Sequence, residues 1–180
     1  MRIDFRGYAG DCTIAGQIET GGLRLSDALD HADEVVIHDA TLHSLANAQQ
    51  MYAGEMVLKR DDLFVIEALT PPPANEQRRV RMVRHALRAE LGPYTCFGEV
   101  HALPGVAPLR TLLVRRTMIP LTNCILHFRR GGRDEFHRAP LLIINGRQIS
   151  HVEMATAEQL ENELAGLAGK GAFEQPSPLA

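Results

Sequence analysis

An internal repeat constrains this chain more than any other feature of its sequence. The stretch Leu23–Leu45, LRLSDALDHADEVVIHDATLHSL, predicts a short helix, a tight turn and a long strand. The stretch Ala107–Phe128, APLRTLLVRRTMIPLTNCILHF, repeats that order. Apolar positions recur between the two stretches, whereas most polar positions do not. The repeat therefore predicts a shared scaffold in two tandem units, and it carries little information about chemistry.

The segments that flank each stretch also correspond. Cys12–Glu19 and Tyr94–Ala102 predict matching strands, with a glycine at the same place in each. GEMVLKRDDLFVIEA in the first unit corresponds to LLIINGRQISHVE in the second, as two strands around a turn. We therefore predict a mainly β protein with some helix (α+β). It consists of two tandem homologous β-rich units, residues 1–70 and 94–155, each a strongly bent sheet or a small open barrel.

Residues 71–93 are predicted to join the two units. Three prolines after Thr70 indicate an extended spacer. An amphipathic helix is then predicted from Glu76 to Leu91, because Val80, Val83, Leu87 and Leu91 form an apolar stripe. Beyond the second unit we predict a short C-terminal helix over residues 156–168 and a disordered tail over 169–180.

The apolar segments and the cysteines of the sequence indicate the cellular compartment. The N-terminus lacks an apolar segment of signal-peptide length, and no apolar run approaches the roughly 20 residues of a membrane span. Cys12, Cys96 and Cys124 form no CxxC pair, and each lies in an apolar, strand-like context. We expect buried free thiols, a cytoplasmic protein and no membrane partner.

The charges are distributed unevenly along the chain. Residues 1–70 carry five basic and twelve acidic side chains, a net charge of −7, whereas residues 71–150 carry thirteen arginines and five acids, a net charge of +8. Such a chain can pair its own halves, associate head to tail, or offer a basic face to an anion. The candidate anion or nucleic-acid contacts are Arg78, Arg79, Arg81, Arg84, Arg88, Arg115 and Arg116.

Two polar positions recur between the units. His43 and His127 correspond, and Asp39 and Asn123 each precede them by four residues, which places them on the same face of an ideal strand. A histidine near a carboxylate can support acid–base chemistry or ligand binding, so these four residues are candidate ligand positions. The sequence shows no nucleophile motif, metal-ligand spacing or phosphate-binding loop. We assign no catalytic residue, metal or cofactor.

Each unit resembles an Sm or Sm-like (Hfq/LSm) small β-barrel. The residues that carry the resemblance are DHADEVVIHDATLHSL with GEMVLKRDDLFVIEA, and MIPLTNCILHF with APLLIINGRQISHVE. Asp39-Ala40 lies near the Asp-Ala of the family's first motif, and the segment Ile144–Ile149 lies near its second motif. The resemblance implies a small barrel that contacts RNA through its loops. The segment RLSDAL also resembles bacterial families of unknown function built from a tandem repeat.

These observations favour a non-enzymatic interaction or scaffold protein that forms homo-oligomers through strand edges and complementary charge. A nucleic-acid-binding module that uses the arginine-rich residues 71–150 is the first alternative. A small-ligand site at the repeated histidine positions is the second.

Overall fold

The computed structural model describes residues 2–69, 81–109, 117–156, 158–159 and 162. The predicted mainly β class is confirmed, since strands dominate the described residues and helix is scarce. We call residues 2–69 the first half and residues 81–156 the second half. The ten strands are β1 (Arg2–Ala9), β2 (Cys12–Glu19), β3 (Glu34–Ser44), β4 (Gln50–Lys59), β5 (Leu63–Ala68), β6 (Val83–Leu91), β7 (Tyr94–Ala102), β8 (Met118–Arg130), β9 (Arg133–Asn145) and β10 (His151–Met154).

One short α-helix lies in the first half. This helix, α1 (Leu25–His31), buries Leu25 and Leu29 as their spacing predicts. Two single turns of 3-10 helix, Arg60–Asp62 and Gly146–Gln148, lie where the sequence predicts turns. Near the C-terminus, the backbone amide of Gln159 donates to Thr156 Oγ1 at 3.1 Å, and the amide of Thr156 donates to Gln159 Oε1 at 2.7 Å. The predicted capping box is thus formed. Most of residues 156–168, and all of 169–180, lie outside the described residues.

All ten strands form one antiparallel sheet. Its order is β10-β6-β7-β8-β9-β5-β1-β2-β3-β4, so β10 and β4 are the two open edges. The halves meet at the centre, where β5 pairs with β9 through Val65 opposite Ile144 and Ile66 opposite Ile143. We call this the β5–β9 junction.

The predicted linker helix is wrong over residues 83–91, which form strand β6. Arg84 and Arg88 therefore lie on a strand, paired along its length with β7. Val83, Leu87 and Leu91 are spaced by four residues, a spacing that fits one face of a helix and also one face of a strand. The spacer residues 71–73 and the predicted helical residues up to 80 lie outside the described residues.

The core joins the two halves. One apolar cluster consists mainly of second-half residues, and it also contains Tyr8, Leu45 and Val65 of the first half. The other consists mainly of first-half residues together with Met118 and Ile143 of the second. Because each cluster needs side chains from both halves, the halves stabilise one another.

Candidate functional site

Asp39 and Asn123 occupy equivalent irregular positions in the two long strands. Each has a φ of 52°, and each lies at the point where its strand shifts register against the preceding strand, as a β-bulge residue does. Asp and Asn tolerate this left-handed conformation better than other non-glycine residues. The backbone therefore gives these two positions a structural reason to be Asp and Asn.

The side chains of these two residues bind different partners. The Tyr52 hydroxyl donates to Asp39 Oδ1 at 3.4 Å, whereas Asn123 Nδ2 donates to Glu99 Oε2 at 2.6 Å. Both Asp39 and Asn123 are exposed. A bulge adds one residue to each long strand and so interrupts the alternation of side chains between the two faces of the sheet. The four-residue spacing therefore does not place Asp39 on the same face as His43, or Asn123 on the same face as His127.

The two histidines also lie in different surroundings. His43 lies opposite Thr13 on β2 and Gln50 on β4. His127 Nε2 lies 3.1 Å from Asp134 Oδ1, and its ring stacks on Phe136 with 4.5 Å between ring centroids. Among the described residues, no group of three or more His, Cys, Asp or Glu side chains is arranged to hold a metal ion. The ligand role of these four residues stays a prediction.

Two of the three described arginines of the predicted anion surface, Arg84 and Arg88, have carboxylate neighbours. Arg84 Nη1 lies 3.6 Å from Glu99 Oε2. Arg88 donates to Glu90 at 2.6 Å and to Glu153 at 3.2 Å. Arg81 is exposed, and Arg78, Arg79, Arg115 and Arg116 lie outside the described residues. Part of the charge that was expected to face a phosphate is thus compensated by carboxylates at Arg84 and Arg88.

The most accessible of the three thiols, Cys12, is not an activated nucleophile. Cys96 and Cys124 are buried, as predicted, whereas Cys12 is half-buried. Burial, together with a hydrogen bond to Asp11, raises the pKa of Cys12 to about 11. At neutral pH this thiol is protonated and therefore a poor nucleophile.

A buried ionic cluster between the halves was missed by the sequence analysis. Glu67 on β5 is only 6% exposed. Its Oε2 lies 2.8 Å from His137 Nε2 on β9 and 3.6 Å from Arg6 Nη1 on β1. The correspondence of Glu67 with Glu153 at the end of an apolar strand was the only signal in the sequence. A buried carboxylate needs such partners, so this cluster ties β9 to the first half.

Further polar contacts extend the β5–β9 junction. Asn145 Nδ2 donates to the Leu63 carbonyl at 3.0 Å in a buried site. Just beyond it, Arg147 Nη1 donates to Asp61 Oδ2 at 2.8 Å. These two contacts fix the register in which β9 meets β5.

The open edge at β4 is the candidate interaction surface. Met51, Tyr52 and Val57 on this strand are 61%, 68% and 57% exposed. At the opposite edge, β10 has only four residues, and its outermost apolar residue, Met154, is exposed. Exposed apolar side chains on an unpaired strand are typical of a surface that pairs with another chain.

No protein-family model, curated protein or solved structure matches this chain. In the part of the chain that the structure describes, no helix has the length and apolar character needed to cross a membrane.

Proposed function

We propose that the protein is a non-enzymatic scaffold that self-associates through the two open edges of its sheet. The observation that carries this proposal is the exposure of Met51, Tyr52 and Val57 along the open edge strand β4. Natural proteins usually protect such an edge with charges, proline or a covering segment. Here the charged residues of the strand are Glu55, in its middle, and Lys59, its last residue, and three exposed apolar side chains lie beside them.

We also infer that the chain is a duplication of one five-stranded unit. The strand order is β5-β1-β2-β3-β4 in the first half and β10-β6-β7-β8-β9 in the second. Arg6–Glu67 across β1 and β5 corresponds to Arg88–Glu153 across β6 and β10. The bulge residues with a φ of 52° correspond as well. An Sm-like barrel for each unit, and the RNA contact that this resemblance implies, stay predictions.

Close packing at one glycine in each half supports the same inference. A Cβ atom at Gly16 would lie 2.6 Å from the Ile37 side chain, and one at Gly98 would lie 3.1 Å from the side chain of Leu121. Leu121 pairs with β9 in the register in which Ile37 pairs with β4. The two long strands therefore approach a glycine of the preceding strand in the same way.

The ion pairs favour self-association over nucleic-acid binding. Arginines that contact phosphates displace the cations condensed on a nucleic acid, and Arg84 and Arg88 already have carboxylate partners that compensate part of their charge. The nucleic-acid alternative therefore depends on the other arginines of residues 71–150, such as Arg81, which is exposed.

Size-exclusion chromatography with light scattering tests the proposal on the full chain. We expect the wild-type particle to have at least twice the mass of one chain. Tyr52→Lys combined with Val57→Lys should lower it towards the monomer, because charged side chains oppose pairing at an edge. Leu103→Lys changes an exposed apolar residue outside both edge strands, so it should leave the mass unchanged. A monomeric wild type at the highest soluble concentration would refute the proposal.

A further inference from the structure

The β5–β9 junction shows how one unit of this sheet pairs with the next. Ile66 lies opposite Ile143, and Val65 lies opposite Ile144. All four side chains are at most 1% exposed. The pairing of two unit edges therefore buries the apolar residues that lie along them.

The two open edges carry the counterparts of these residues. Val57 on β4 pairs with Val36 as Ile143 on β9 pairs with Pro120. Val152 on β10 pairs with Ala89 as Ile66 on β5 pairs with Gly7. Val57 thus occupies the position of Ile143, and Val152 occupies the position of Ile66. Among the described residues, however, no further strand pairs with β4 beside Val57 or with β10 beside Val152.

We propose that β4 of one copy pairs antiparallel with β10 of a second copy, with Val57 opposite Val152, in the register of the β5–β9 junction. The assembly is then polar, because the first half of each copy meets the second half of the next. This inference rests on the proposed self-association and specifies its partner and geometry. A head-to-tail interface of this kind continues from copy to copy until it closes a ring or extends a filament.

The polar contacts of the junction can recur at the new interface. Within the chain, Arg147 after β9 contacts Asp61 before β5. Between copies, Asp61 after β4 would approach Arg147 before β10, so the same opposite charges meet. Both side chains remain partly exposed, at 42% and 59%, and so can take a second partner. Lys59 takes the place of the donor Asn145, and an ammonium group can also donate to a backbone carbonyl.

The distribution of charge favours this polarity over a symmetric one. The first half, residues 2–69, carries five basic and twelve acidic side chains, a net charge of −7. The second half, residues 81–156, contains β10 and carries eleven arginines and five acids, a net charge of +6. Pairing β4 with β10 joins an acidic half to a basic half, whereas pairing β4 with β4 joins two acidic halves. Complementary potentials favour the first arrangement.

Disulfide cross-linking of the full chain tests the geometry. Directly opposed residues of an antiparallel pair have Cα atoms about 4.5–5.5 Å apart, within the range of a disulfide. We expect the double variant Val57→Cys, Val152→Cys to give a ladder of linked chains on a non-reducing gel after copper–phenanthroline oxidation. Each single variant should give none. Val36→Cys with Val152→Cys is the matched control, because Val36 is exposed but lies one strand further from the edge.

The outcomes separate the geometry from the proposed function. A ladder from the double variant alone supports both. Linked dimers from Val57→Cys alone, or no links in a protein that light scattering shows to be oligomeric, overturn the β4–β10 pairing and leave self-association standing. A link within one chain also overturns the pairing. A protein that stays monomeric in light scattering overturns both proposals.

Discussion

Two buried phenols lie side by side at the meeting of the halves. Tyr8 on β1 and Tyr94 on β7 pack edge to face with 5.6 Å between ring centroids, and the Tyr94 hydroxyl donates to the Ala9 carbonyl. Burial raises the pKa of both phenols well above the ordinary value, since it penalises the phenolate. Each tyrosine places its phenol oxygen in the core, and that oxygen must keep its proton there.

The free energy of unfolding should therefore fall above about pH 10. In the unfolded chain both tyrosines lose a proton near pH 10, whereas in the folded chain they keep it. Above that pH the unfolded state binds fewer protons, so stability decreases as pH rises. Each group contributes a slope of up to about 1.4 kcal/mol per pH unit. Urea denaturation followed by circular dichroism measures this slope, over a range from about pH 8 to pH 11 that brackets the ordinary pKa of tyrosine.

The variant Tyr94→Phe isolates one of the two groups. It removes one titrating phenol and one hydrogen bond, so it should lower stability at pH 8 and reduce the slope above pH 10. A slope equal to that of the wild type would show that Tyr94 ionises normally in the folded protein.

Asp39 and Asn123 show what sequence can and cannot predict at this scale. Their correspondence in the repeat was readable, and the structure gives it a backbone reason, the φ of 52°. Their separation from His43 and His127 was not readable. The apolar run of β3 is interrupted at His38-Asp39, as a bend or bulge would interrupt it, but the interruption does not show which later side chains an extra residue moves to the other face.

At the scale of strands and helices, close approach at Gly16 fixes how β2 packs on β3. A Cβ atom there would lie 2.6 Å from Ile37 Cγ2 and 2.8 Å from the backbone oxygen of His38. Backbone cannot move aside as a flexible side chain can. The glycine therefore lets the long strand bend across its neighbour at the bulge.

Gly16→Ala should destabilise the fold by about 1–3 kcal/mol, the usual cost of overpacking. Gly10→Ala is the matched control, because its Cβ would meet only Phe64 Cε2, at an ordinary 3.6 Å. We expect the control to lie within about 0.5 kcal/mol of the wild type. Urea denaturation at pH 7 compares the two. Equal stability of both variants would mean that β2 and β3 separate at little cost.

Segment 83–91 marks the limit of element prediction. Its apolar residues at every fourth position fit a helix, and the following Gly92-Pro93 resembles a helix stop. The structure uses the same glycine, with a φ of 54°, in the tight turn between β6 and β7. The segment forms a strand because it pairs with β7 on one side and with the distant strand β10 on the other, and its own periodicity shows neither pairing. By contrast, α1 was predictable because Leu25 and Leu29 interact within one helix.

At the scale of the whole molecule, the two halves share their core. Both apolar clusters contain residues from each half, and Glu67 is buried between them with His137 at 2.8 Å. We expect unfolding to show a single transition by circular dichroism and by tyrosine fluorescence, with coincident midpoints. The sequence predicts two units, but the contacts between them come from side chains that no repeat pattern identifies, because His137 corresponds to no histidine in the first half.

Glu67→Gln tests how strongly this cluster holds the halves together. The change keeps the size of the side chain but removes its charge, so His137 and Arg6 lose their shared carboxylate in a buried site. We expect a loss of about 2 kcal/mol in the free energy of unfolding, as for hydrogen bonds to charged groups. Glu153→Gln removes the equivalent carboxylate where it is half exposed, and it should cost less than about 1 kcal/mol. If both variants lost the same amount, burial between the halves would add nothing to the ion pair. If Glu67→Gln split the transition in two, the cluster rather than the shared core would be what couples the halves.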